Sequence, residues 1–114
     1  MSRRGRNREL DVARRWRDDG WVVYRLAWGH ADLAAFQAGR RPMLIQVKST
    51  TQSPWEHFGR RGRTLLAAEA RTAGADCVLA WWPPHRALRY FAPSEWPAIP
   101  EEEPAEPRRL TVVE

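Results

Sequence analysis

The chain has 114 residues, 43% of them hydrophobic, which is enough for one domain with a real core and leaves no room for a second. A single cysteine, Cys77, excludes an intramolecular disulfide framework and a cysteine-based zinc cluster, and no apolar run reaches the roughly 18 residues of a membrane span. The net charge is +5, and the basic start MSRRGRNREL has no apolar signal-peptide segment behind it, so a reducing, cytoplasmic setting and no membrane are expected.

In chain order, residues 6–19 predict a helix. Glu9, Val12, Ala13 and Trp16 fall on one stripe at spacings of three, four and seven, and Gly20 stops the helix as a C′ residue. WVVYRLAW (21–28) predicts a strand rich in β-branched and aromatic residues, and GHADLAAFQ (29–37) a second, shorter one. AGRRP is a turn, and MLIQVKST (43–50) is the third strand, so the three close a short antiparallel meander. TQSPWEHFGRRG (51–62) reads as a polar loop, followed by a helix over 63–73 with Leu65, Leu66, Ala70 and Ala73 on its apolar face and Gly74 at its end. DCVLAWWPP is almost continuously apolar, as in a strand buried on both faces and parallel to a neighbour after a helical crossover. RALRYFAP predicts a fifth strand at an edge. The expected architecture is α/β (α+β): one domain over 1–98, a central mixed five-stranded sheet flanked by helices, order α-β-β-β-α-β-β. Residues 99–114 form an acidic, proline-rich tail.

Charge is unevenly spread. Residues 101–114 hold five acids and two arginines, and residues 1–100 hold seventeen bases and nine acids, so the body is +8 and the tail −3. Arg3, Arg4, Arg6 and Arg8, with Arg60, Arg61 and Arg63, form the clusters that a phosphate backbone attracts, which makes DNA the expected partner. The plain alternative is a solvated basic surface.

Of the nineteen basic residues eighteen are arginine; the single lysine is Lys48, at the end of the third strand. Alternation puts Leu44, Gln46 and Lys48 on one face and Ile45 and Val47 on the other. Two polar groups ending one face of a strand either sit at a sheet rim or belong to a site. A meander can bring Asp32 beside them, and Glu9 lies on the inward stripe of the first helix. Carboxylates and an amide oxygen are hard ligands suited to magnesium or manganese. A lysine there acts as a compact point charge and can give up its proton, whereas a guanidinium cannot.

ADL followed by QVK resembles the signature of the PD-(D/E)XK nucleases, with Ala31 in place of the proline. RGRNRELDVARRWRDDGWVVYR resembles the first helix and strand of archaeal-type Holliday junction resolvases, relatives of which some phages encode. The resemblance spans roughly residues 3–82. It implies a restriction-endonuclease-like fold, a homodimer and a Mg2+- or Mn2+-dependent endonuclease cutting branched DNA, the four-way junction first. It sets Glu9 at the helix glutamate, Asp32 at the central aspartate, Gln46 at the usual acid and Lys48 at the lysine, with Glu9, Asp32 and Gln46 as metal ligands. Gln46 is a departure, since an amide keeps a ligand oxygen and drops a negative charge. So is the short AWGHAD link, where the resolvases carry a serine-containing loop.

Other residues carry weaker expectations. His30, two residues before Asp32, is either an accessory group at phosphate or water, or a solvated histidine. Glu69 either supplies the missing carboxylate or sits at the core boundary. Trp81 and Trp82 face opposite ways and belong to packing, which leaves Trp55 as the candidate for base stacking. Two alternatives remain open: a nuclease for flaps, nicks or mismatches, and a DNA-binding module whose catalytic site has decayed.

Overall fold

The computed structural model describes residues 3–97, over 3–6 by backbone alone. The side chains of Arg3, Arg4 and Arg6 and the expected tail over 99–114 therefore lie outside the described residues. Helix α1 (Arg3–Asp18) leads into β1 (Val22–Arg25), β2 (Leu33–Phe36) and β3 (Met43–Lys48). Two helices follow, α2 (Pro54–His57) and α3 (Arg60–Ala73), and then β4 (Asp76–Trp81), β5 (Arg89–Phe91) and a 3-10 turn over Pro93–Glu95.

Both long helices end as their glycines require. Gly20 takes φ +93° and Gly74 φ +67°, conformations that a residue with a Cβ reaches only at a cost. After α1, Gly20 N–H donates to Arg17 O and Trp21 N–H to Trp16 O, both at 3.0 Å. This is the paired closure of a Schellman motif, and the Trp16 and Trp21 rings supply its apolar contact, edge to face at 5.0 Å.

The sheet order is β1-β2-β3-β4-β5. β1, β2 and β3 form the expected antiparallel meander; β4 joins β3 in parallel after the helical crossover, and β5 returns antiparallel at the edge. Alternation divides the core into two layers. Ile45, Val47, Val78 and Ala80 pack with Val12 and Ala13 under α1. Leu44, Cys77 and Leu79 pack with Leu66 and Ala70 under α3. β4 is thus buried on both faces, as its unbroken apolar run requires.

Several boundaries differ from expectation: α1 begins at Arg3 and β2 only at Leu33. β1 ends at Arg25, because Leu26 N–H donates to Asp32 O at 2.9 Å and closes the strand pair there. The expected loop over 51–62 contains α2, started by Pro54 at its first position with Ser53 Oγ accepting from Trp55 N–H at 3.3 Å. α3 begins at Arg60, three residues earlier than the apolar stripe indicates. Gly62 sits in its first turn, where an added Cβ would touch the Phe58 ring at an ordinary contact distance of 3.4 Å.

Candidate functional site

The β2–β3 pairing builds the site around Asp32, one residue before β2. Asp32 N–H donates to Ile45 O at 2.9 Å, and Asp32 O accepts from Leu26 N–H. Its carboxylate continues the ladder, with Oδ2 accepting from Val47 N–H at 2.8 Å. One oxygen is therefore held by the strand that carries Gln46 and Lys48, and the other has no hydrogen-bond partner among the described residues.

Glu9 arrives from the face covered by α1. It is 5% exposed, on the stripe that places Val12 and Ala13 in the core. Arg25, at the end of β1, approaches it at 3.5 Å. Gln46 and Lys48 follow Leu44 in alternation and point toward the face covered by α3. Asp32 joins the two sides. Burial raises its pKa above the ordinary aspartate value, against the lowering effects of the Val47 N–H, Lys48 and Arg25. Burial also raises the pKa of Glu9, and the negative charge of Asp32 adds to the rise while Arg25 opposes it. Two partly dehydrated carboxylates thus repel each other at the end of a sheet, with Arg25 and Lys48 close enough to act on Asp32.

The side chains of Gln46 and Lys48 make no hydrogen bond or ion pair with any described residue. The donor set is two carboxylates and an amide; among the described residues no three His, Cys, Asp or Glu side chains are placed to hold a metal ion. Partly buried oxygen donors nevertheless fit a hard divalent cation.

The setting of the carboxylates is a glutamate from the first helix, an aspartate at the mouth of a meander and a lysine on the third strand. The chain is similar to an archaeal Holliday junction resolvase. The solved structure is Hjc from the hyperthermophile Archaeoglobus fulgidus, 25% identical, with a TM-score of 0.67 over 80% of this chain and 74% of that one. No model of a protein family and no curated protein matches the sequence. The likeness to Hjc agrees with the resemblance carried by ADL and QVK.

Around this centre, the structure separates the expected contacts. Arg60 and Arg61 are exposed on the first turn of α3. Arg63 is not available as a phosphate contact: it is 8% exposed, and its Nη1 donates to Phe58 O at 2.8 Å. It turns inward because α3 starts early and carries position 63 onto the buried side with Leu66 and Ala70. His30 is exposed and faces α3, its N–H donating to Glu69 Oε1 at 2.8 Å; it shares a surface depression with Leu65 and Thr72 and none of Glu9, Asp32, Gln46 or Lys48. Glu69 thus anchors the loop before Asp32. Trp55 is half-buried, its ring against Phe91 at 5.2 Å, so it is packing and not a stacking platform.

Sequence reasoning missed Arg25, and missed that Arg8, already in the expected arginine cluster, shares one ring with Arg15. Arg25 has no motif to mark it and is found only through its pairing beside Asp32. Arg8 and Arg15, seven residues apart on α1, both stand over the Trp82 ring, at 4.4 and 4.6 Å. Trp82 N–H donates to Lys48 O at 2.8 Å, which ties this pair of cations to the end of β3. The helical spacing of seven was the available signal.

Proposed function

We propose that this chain is a divalent-metal-dependent endonuclease of branched DNA, with the four-way junction as its preferred substrate and a homodimer as its working form. The observation that carries the reading is the Asp32 carboxylate, fixed by Val47 N–H between buried Glu9 and Lys48 in a fold similar to that of a Holliday junction resolvase. Asp32, Glu9 and the amide oxygen of Gln46 are the residues that would hold Mg2+ or Mn2+. When bound, the metal lowers the pKa of a water and polarises the scissile phosphate. Lys48 neutralises charge that develops on the phosphoryl oxygens. Arg25 holds Glu9 in place from the solvent side.

The DNA path in this proposal runs over Arg8 and Arg15, which the Trp82 ring orients without neutralising, and over Arg60 and Arg61. The first turn of α3 contains no acid, and Gly59 gives it no side-chain cap, so its N-terminus favours an anion. Residues 1–98 form the nuclease unit and 99–114 an acidic tail. The cytoplasm suits a buried free thiol at Cys77, and no helix among the described residues is long and apolar enough to cross a membrane.

A second reading rests on Gln46, which leaves the cluster one carboxylate short of three. In that reading the chain binds branched DNA without cutting it. One experiment separates the two: a labelled four-way junction, a flap and a linear duplex incubated with Mg2+ or Mn2+ and with wild type or Lys48→Ala. Symmetric nicking of the junction by wild type alone supports the nuclease. Tight binding without cleavage in either metal supports the binding module, and cutting of the flap or duplex alone discards junction resolution.

A further inference from the structure

Trp28 is 89% exposed, more than any other large hydrophobic residue described. The remaining tryptophans all have partners: Trp16 and Trp21 meet edge to face, as do Trp55 and Phe91, Trp82 lies under two arginines, and Trp81 and Trp96 donate to backbone carbonyls. Trp28 has no ring, cation or hydrogen-bond partner among the described residues.

The segment that presents it is built. Its base is closed by Leu26 N–H on Asp32 O at 2.9 Å, and its far side is held by His30 N–H on Glu69 Oε1 at 2.8 Å. Between them Gly29 takes φ +91°, and a Cβ there would run into the Glu69 carboxylate. The carboxylate of α3 therefore locks the turn that lifts Trp28, and the same turn ends at Asp32. Arg25, which acts electrostatically on Asp32, precedes the loop on β1. An exposed aromatic ring on an anchored turn that ends at Asp32 suits an unstacked base whose phosphate enters the site.

We propose that Trp28 stacks on an unpaired or branch-point base and thereby selects branched over linear DNA. The proposal rests on the DNA-directed reading above. The competing occupant is a second copy of this chain. Val22, Tyr24, Leu26 and Phe36 are also exposed on or beside β1 and β2, but Tyr24 and Phe36 pack edge to face on each other at 6.1 Å and Trp28 shares no ring contact with them. The anchored turn that carries Trp28 ends at Asp32, which favours the base.

The test uses the full chain as wild type, Trp28→Ala and Trp28→Phe, with a four-way junction and a matched duplex carrying 2-aminopurine at the branch point or its equivalent. Affinity and 2-aminopurine emission are read in Ca2+, and light scattering gives the mass of each variant. The expected result is a roughly ten- to hundredfold loss of junction affinity in Trp28→Ala, little change on duplex, loss of the 2-aminopurine response, and near-complete rescue by Trp28→Phe. Junction affinity equal to wild type in Trp28→Ala overturns the proposal and leaves the nuclease reading intact. Conversion of a wild-type dimer to monomer by Trp28→Ala overturns it in favour of a copy interface. Failure of wild type to bind any DNA removes the functional reading and this inference with it. Since Trp28 has no described partner, unchanged thermal melts verify that the variants are folded.

Discussion

The Val47 backbone N–H donates to Asp32 Oδ2 at 2.8 Å, so the strand that carries Gln46 and Lys48 also sets the position of the aspartate. A carboxylate that completes a β-ladder cannot drift relative to that strand. The distance between the aspartate carboxylate and the Lys48 backbone is therefore a property of sheet register.

Lys48→Ala should reduce cleavage by about 10²- to 10³-fold, the scale on which an oriented stabiliser of transition-state charge acts. Lys48→Arg should not restore it, because the planar guanidinium neither fits a compact site nor gives up its proton. Single-turnover cleavage with junction affinity measured in parallel checks this; recovery by arginine would show that only positive charge is needed.

Asp32→Asn should abolish cleavage and stabilise the protein. Burial raises the pKa of Asp32, so the folded state holds the proton more tightly than the unfolded chain. The associated stability is fully present below the unfolded value of 3.8 and is lost as pH rises through the raised folded value. Asparagine keeps an acceptor for Val47 N–H and carries no charge. Thermal melts should place Asp32→Asn above wild type near neutral pH, with the gap closing on acidification. Added Mg2+ should raise the melting temperature of wild type and not that of the variant. A neutral-pH melting point below wild type would refute the sign.

Gln46→Glu returns a negative charge to the donor set. Half-maximal cleavage should shift to a metal concentration lower by about tenfold, since site charge is the main control on divalent-cation affinity. A metal titration of the cleavage rate reads this directly, and an unchanged midpoint would remove Gln46 from the ligand set.

Arg8→Gln and Arg15→Gln should each lower the slope of log affinity against log salt by about one and weaken junction and duplex alike. Arg63→Ala should behave differently. It leaves Phe58 O without its buried donor, at a cost of about 1–3 kcal/mol in folding stability, and leaves the salt slope unchanged. The contrast between Arg8 and Arg63 in salt-dependent binding and denaturant melts tests the assignment of surface and core.

Most of the architecture was legible because periodicity reports which faces are buried. The Glu9–Val12–Ala13–Trp16 stripe, the unbroken run of β4 and the two stop glycines correspond to α1, a doubly covered strand and two left-handed caps. The order of Glu9, Asp32, Gln46 and Lys48 along the chain was likewise visible, and the lone lysine among arginines marked its position. α2 was passed over although Ser53–Pro54 is a sound start signal, because one turn of helix has too few residues to show a period.

Long-range placement was decided only by the tertiary structure. The chain's pattern determined that a helix, a meander and a crossover would form, since each depends on neighbours within a few residues. Whether Arg63 turns inward, whether Trp55 packs or Trp28 stands free, and whether Arg25 reaches Glu9 depend on where helix α3 begins and how β1 registers against β2. Contacts between residues distant in sequence are fixed by packing and register, and a one-dimensional pattern of apolar and polar residues carries neither.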